Sequence, residues 1–214
     1  MASKWTVESA LNAVARRPVT KSASPVPFFH LIERLKTTPR EGWRRCGVSD
    51  GESIADHMYR MSLMTMLAPP SLRSRVDVSK CVKMALVHDM AESLVGDITP
   101  VEGVPKHEKS RRETETMDYI CKELLGNVDE GEQGKELREL WQEYEESETL
   151  ESKFVHDVDK IELLLQMNEY EEKLDGGKDL GEFARVAERV VLPECKEWAN
   201  ELLAERREFW ASKQ

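Results

Sequence analysis

The chain lacks any apolar run approaching the ~20 residues needed to cross a bilayer, which excludes a protein built on spanning helices and makes a membrane an unexpected partner. It also lacks paired cysteines: Cys46, Cys81, Cys121 and Cys195 are dispersed, with no CxxC. That spacing excludes a disulfide framework and a zinc knuckle. It is expected of reduced thiols in an intracellular, cytoplasmic protein, packed as small hydrophobes. Positive charge is in deficit, with 31 Lys and Arg against 41 Asp and Glu. The resulting net charge of −10 excludes a general grip on DNA or RNA, which depends on neutralising phosphates with cationic side chains. No nucleic-acid polymer is therefore expected as a partner, although a small phosphorylated molecule can still be held in one locally basic pocket. Strand alternation, repeats and low-complexity tracts are missing too. No secretory signal is read, but Lys4, Arg16, Arg17 and Lys21 stand against one acid, Glu8, in the first stretch, which leaves an organelle-targeting leader open.

What is present is helical periodicity, and 214 residues suit one all-α domain. Pro18, Pro25 and Pro27 punctuate the beginning, so residues 1–25 are expected to form a flexible N-terminal arm and 26–214 a single helical bundle. Residues 27–36 place Phe28, Leu31, Ile32 and Leu35 at helical spacing, followed by a polar loop over 37–50. Ser53 suits the cap of a helix carrying Ile54, Met58, Met61 and Met64, which Pro69-Pro70 ends. Asp77 or Ser79 opens the next, through Val82, Ala85, Leu86 and His88 to near Gly96. After an aperiodic loop over 96–103, helices are expected over 106–125, 136–145 and 149–174, with Gly176-Gly177 breaking the last. Two more close the chain, the second starting at Pro193, a good first-turn residue, and carrying Trp198, Leu202, Leu203 and Phe209.

His88-Asp89 lies inside an apolar helical stretch, His57 ends Ile54-Ala55-Asp56-His57, and Asp159 falls on another apolar helix. Two imidazoles and two carboxylates in such surroundings are costly to bury unless they share a partner, and a divalent metal is the obvious one. A lone histidine on an apolar face is more often a hydrogen-bonded core residue, and a lone Asp89 serves equally as a cap. That alternative loses weight when all of them fall on apolar helices of one small domain. His88 and Glu92 are four apart, so a regular helix projects both from one face, with Asp89 rotated about 100° away. A second pair, His156-Asp157, competes with Asp159, and spacing does not choose between them. Asp159 shares its face with Val155 and Leu163, whereas Asp157 lies with Lys153 and Lys160. Asp159 is favoured, and His156-Asp157 is read as peripheral. Arg40-Glu41-Gly42-Trp43-Arg44-Arg45 combines an aromatic plane with guanidinium forks that can each donate twice to a phosphate. The same segment reads equally as a solvated basic loop with its Trp docked in the core.

The order His57, His88-Asp89, Asp159 resembles the HD-domain phosphohydrolase superfamily. The run from His88-Asp89 through Glu92 to Gly96-Asp97 resembles the HD-x-x-E-x-x-x-G-D segment of its 5′-deoxynucleotidase family. Phe28-Phe29-His30-Leu31-Ile32-Glu33-Arg34-Leu35-Lys36, Gly42-Trp43, Ser53-Ile54-Ala55-Asp56-His57 and Lys153-Phe154-Val155 are similar as well, so the likeness runs from about residue 28 to 170. It implies an all-helical bundle with a mononuclear core site in which His57, His88, Asp89 and Asp159 hold one divalent ion. Such a mixed nitrogen and oxygen set suits Co, Mn, Zn, Fe or Ni, with Mg left open. Dinuclear relatives need further histidines between the central pair and the last Asp. Only His107 and His156 stand there, and His107 reads as a solvated face.

The resemblance further implies that Glu92 orients or deprotonates the attacking water and that Asp97 passes a proton to the 5′ oxygen. Taken singly, Glu92 pairs as well with a surface Lys, and Asp97 suits a turn after glycine. Trp43 matches the family's substrate-side tryptophan. Gly42 stands where some relatives carry a phosphate-binding Arg, which leaves that cation open among Arg40, Arg44 and Arg45. The expected reaction converts a deoxyribonucleoside 5′-monophosphate and water to deoxyribonucleoside and phosphate. Its deoxy preference and a homodimer are carried by resemblance alone; the amphipathic last helix offers a surface for a second copy, and the core could absorb its stripe equally well. The alternatives are another phosphohydrolase of this scaffold, acting on nucleoside triphosphates, cyclic nucleotides or alarmones, and a non-catalytic helical scaffold that keeps a metal for stability.

Overall fold

The periodic segments of the sequence fold into α-helices, some begun by polar caps and others by proline. In the computed structural model of the chain, which describes residues 5–213, these are α1 (Val7–Leu11), α2 (Val26–Thr37), α3 (Glu41–Arg45), α4 (Ile54–Met66), α5 (Pro70–Arg73), α6 (Val78–Val87), α7 (Glu92–Val95), α8 (Lys106–Asp118), α9 (Glu132–Glu146), α10 (Leu150–Lys173) and α11 (Pro193–Ala211). Lys4, counted above among the N-terminal cations, lies outside the described residues. No strand occurs among them, only one antiparallel bridge between Pro39 and Ser53, so the all-α expectation holds. Ser53 Oγ accepts from the Asp56 N–H (3.2 Å) while Asp56 Oδ2 accepts from the Ser53 N–H (2.9 Å), a reciprocal cap on α4. Asp77 rather than Ser79 caps α6, accepting the Lys80 N–H at 3.0 Å. Thr149 does the same for α10 through the Ser152 N–H at 3.1 Å.

Three local departures matter. The stretch expected as a loop over 37–50 contains α3. The helix expected to run unbroken to Gly96 is interrupted after Val87: Met90 donates to Val87 O, Glu92 to Asp89 O and Ser93 to Met90 O, each about one residue short of α-helical spacing. The third is at the close, where Gly181–Arg189 is a 3-10 segment and not an α-helix. Gly96 ends α7 at φ +79, a left-handed value that favours glycine.

The chain divides into two compact units. One comprises residues up to Met58 and Val87–Gln142. Its core gathers Phe28 and Leu31 of α2, Met90 and Leu94, Met117 of α8 and Trp141 of α9. Past Asp118, α8 loosens into a π-helical turn over Tyr119–Leu124. Gly134 lets α9 approach that turn, since a Cβ there would lie 2.6 Å from the Cys121 carbonyl oxygen. The segment expected as an arm carries α1, capped by Thr6, and Leu11 is 2% exposed within this core. Trp5 faces the guanidinium groups of Arg111 and Arg112, 5.9 and 5.7 Å from its ring. Leu11→Ala is expected to cost roughly 2–5 kcal/mol, read as a lower urea midpoint with an unchanged slope.

The second unit comprises Tyr59–Leu86 and the chain from Glu143 onward. Here Phe154, Val158, Ile161, Leu164 and Met167 of α10 are buried, and α11 and the 3-10 segment pack against that helix. Buried Glu171 accepts the Leu180 N–H (2.7 Å) and the Trp210 indole N–H (2.8 Å) and pairs twice with Arg206 (2.9 Å each). Of the stripe read on α11, Leu202 is buried, with Cys195 and Ala199 beside it, while Trp198, Leu203 and Phe209 are partly exposed.

All four cysteines are free, and burial pushes the Cys81, Cys121 and Cys195 thiols up to about 12. Among the described residues no helix is long and apolar enough to cross a membrane.

Candidate metal centre and cleft

The interruption after α6 decides where the chemistry sits. His88 and Asp89 occupy the tightened turn, and α7 restarts at Glu92, so the regular four-residue spacing assumed from sequence does not apply between them. His57 comes from the first turn of α4, its N–H bonded to the Ser53 carbonyl at 3.2 Å. The two imidazoles are 0% and 4% exposed, with ring centroids 5.6 Å apart. Both aim Nε2 at the same atom: His88 Nε2 lies 3.2 Å and His57 Nε2 3.9 Å from Asp89 Oδ2. Two imidazole nitrogens and a carboxylate oxygen converging out of bulk water form a donor set that fits a first-row divalent ion.

Arg40 reaches the same carboxylate, Nη1 3.2 Å from Asp89 Oδ2. Burial pushes the Asp89 carboxyl up, but His88, Arg40 and His57 outweigh it and hold the group well below the ordinary carboxylate range. Glu92 is in the opposite position. Its side chain is 2% exposed, Oε2 has no hydrogen-bond partner, and Lys109 Nζ stands 3.9 Å from Oε1. Burial first, then the charges of Asp89 and Asp97, raise its proton affinity well above that of an ordinary glutamate. Lys109, on a helix face read from sequence as solvated, is the cation that reading missed. It is spaced i,i+4 with Glu113, 3.5 Å away, which was its visible signal. His107 on the same helix is exposed, as expected.

Asp97 follows Gly96, and its Oδ2 accepts the Glu41 N–H at 2.6 Å, which ties the loop after α7 to α3. The carboxylate of Glu41 takes Arg44 in a two-point pair (2.6 Å each) and Arg45 at 2.9 Å; Arg45 also lies 3.4 Å from Glu102. These residues line a cleft of 780 Å3 together with Val95, Ile98 and Val101. That volume is in the range of small-molecule sites.

Trp43 departs from its expected role. It is 2% exposed and its indole N–H donates to Glu52 at 2.9 Å, so it offers no open plane for stacking. A large amphipathic ring next to a carboxylate gains more from burial with its N–H satisfied than from facing water.

In the second unit Asp157 is not peripheral. It is fully buried and accepts from the Val191 N–H (3.1 and 3.0 Å) and Leu192 N–H (2.7 Å), with Lys160 Nζ 3.5 Å away, and so holds the chain before α11. His156 stacks on Tyr144 with centroids 3.9 Å apart. Asp159 and Leu163 are partly exposed, so the fully buried stripe of α10 runs through Val155 and Val158 instead.

A family model described as HD domain matches residues 32–198. The chain is 50% identical over 193 residues to the 5′-deoxynucleotidase hdd1 of Schizosaccharomyces pombe, covering 90% of this chain and 95% of that protein. It is 42% identical over 184 residues to the human 5′-deoxynucleotidase HDDC2, covering 86% of each. Among solved structures it is similar to the HD domain-containing protein YGK1, with a TM-score of 0.68 and 34% identity over 96% of this chain and 94% of the other. The chain belongs to the HD domain family.

Proposed function

We propose that the protein is a metal-dependent 5′-deoxynucleotidase, hydrolysing deoxyribonucleoside 5′-monophosphates to deoxyribonucleosides and phosphate. One observation carries the reading: two buried imidazoles meet at one carboxylate beside a second, buried carboxylic acid of raised proton affinity. The relatives named above as 5′-deoxynucleotidases, at 42–50% identity over most of the chain, support the substrate class. His57, His88 and Asp89 are proposed as three ligands of one divalent ion and Asp159 as the fourth, Asp157 being committed to the backbone before α11.

A divalent ion in this site supplies positive charge to the phosphate and acidifies water. Glu92 orients the attacking water and takes up its proton, for which a raised proton affinity suits it. Arg40 is the proposed phosphate cation because its Nη1 reaches the Asp89 carboxylate, whereas Arg44 and Arg45 point to Glu41. The Glu41 N–H fixes Asp97 through Oδ2, leaving Oδ1 to carry the proton given to the departing 5′ oxygen. Trp43 contributes by position, bracing the turn that presents Arg40 and Glu41. A second copy of the chain is the proposed partner, checked by sedimentation, and a reducing, cytoplasmic compartment is proposed from the four free thiols.

The test is phosphate release from a panel of deoxy- and ribonucleoside monophosphates, after chelation and after adding back Co, Mn, Mg or Zn. Release restored by an ion and strongest with deoxy substrates is expected; a flat response across substrates and ions overturns the proposal.

A further inference from the structure

The cleft beside Asp97 has a charge balance of its own. Its lining cations, Arg44 and Arg45, face three lining acids, Glu41, Asp97 and Glu102. Both guanidiniums are already paired. Glu41 takes the Nε and Nη2 edge of Arg44, and Arg45 is shared between Glu41 and Glu102, so an incoming anion competes with carboxylates already in place. The rest of the lining, including Val95, Ile98 and Val101, offers no charge. Neighbouring residues thus turn to different tasks: Arg40 serves the Asp89 end, while Glu41 neutralises the arginines of the cleft.

We propose that Glu41 and Glu102 form a charge filter that makes the cleft accept an uncharged group and reject a second phosphate. The inference rests on the nucleotidase reading, in which the phosphate to be cleaved sits at Asp89 and Arg40 and the group esterified to it occupies the cleft. A nucleoside enters at little electrostatic cost, its apolar faces against Val95 and Ile98. A nucleoside with a further phosphate must either displace a carboxylate from a guanidinium or sit beside the carboxylates of Glu41 and Glu102. Specificity here comes from repulsion of the wrong substrate as much as attraction of the right one. Glu102 is the better position to probe, because Gln there keeps the cap that its side chain gives the Thr99 N–H.

The experiment compares kcat/KM for deoxythymidine 5′-monophosphate and its 3′,5′-bisphosphate in the wild type, Glu102→Gln and Glu102→Lys. The wild type is expected to prefer the monophosphate by at least about tenfold, the ratio that one modest like-charge contact supplies. Glu102→Gln narrows the preference by about tenfold and Glu102→Lys abolishes or inverts it. An unaltered preference, or parallel changes for both substrates, overturns the filter while leaving the nucleotidase reading intact. If the wild type turns over no monophosphate, that reading fails. Equilibrium dialysis of the two nucleotides against the same three proteins then decides the filter by binding alone, and equal affinity ratios overturn it.

Discussion

Glu92→Gln is expected to cut phosphate release by about two to four orders of magnitude, the usual loss on removing a general acid or base, while metal content stays at the wild-type level. Gln keeps the shape and fills the same buried space but takes up no proton. The same variant should be more stable than the wild type when both are metal-free. Burial, Asp89 and Asp97 raise the Glu92 carboxyl above its ordinary value, against the smaller pull of Arg40 and Lys109. An acid whose proton is bound more tightly folded than unfolded favours folding at low pH, and loses that contribution as pH rises from the ordinary Glu range through the folded value. Gln has no such loss. The melting temperature of metal-free Glu92→Gln should therefore exceed that of metal-free wild type by a margin that grows as pH rises above the ordinary Glu range. Equal melting curves at every pH, or loss of metal from the variant, would contradict the role assigned to Glu92. A scaffold that keeps its metal only for stability predicts no turnover to lose, so the same variant separates the two.

His88→Ala carries the second large effect. Altering a residue that merely supports a ligand costs 10–100-fold in metal affinity, so losing a ligand is expected to cost more than about a hundredfold. His88 Nε2 is the closer of the two imidazole nitrogens to Asp89 Oδ2, at 3.2 Å against 3.9 Å for His57. In the wild type, an ion at a hundred times its dissociation constant should add about 2.7 kcal/mol of stability. His88→Ala should gain almost none at the same concentration and release no phosphate. The check is a thermal melt with and without added ion. A wild-type-sized metal response in the variant would remove His88 from the ligand set.

Much of the frame was legible because local rules agreed with the packing. Ser53, Asp77 and Thr149 each precede an apolar stripe, and each is seen accepting a backbone N–H there. Phe28 and Leu31 at helical spacing proved to be core. The family's residues were legible for a related reason, since metal-binding side chains on apolar helices conflict with burial unless they share a task.

The departures have particular causes. A change from α-helical to tighter hydrogen bonding over 87–94 leaves no mark in hydrophobic periodicity, so the turn holding His88 and Asp89 read as plain helix. Asp157 looked peripheral because its lysine neighbours are near in sequence, while its backbone partners lie 34 and 35 residues away. Arg44 and Arg45 looked available because the intervening Glu41 was counted as a loop residue. In α3 it sits three and four positions before them, where its carboxylate meets both. Leu11 read as part of a loose arm because five residues of helix carry too little periodicity to announce a buried face.

The most direct measurement is a titration of the chelated protein with Co or Mn, following phosphate release from a deoxynucleoside monophosphate. Activity should rise from near zero and level off at one ion per chain. Full activity before any ion is added, or none at any ratio, would contradict a catalytic centre built on His57, His88 and Asp89.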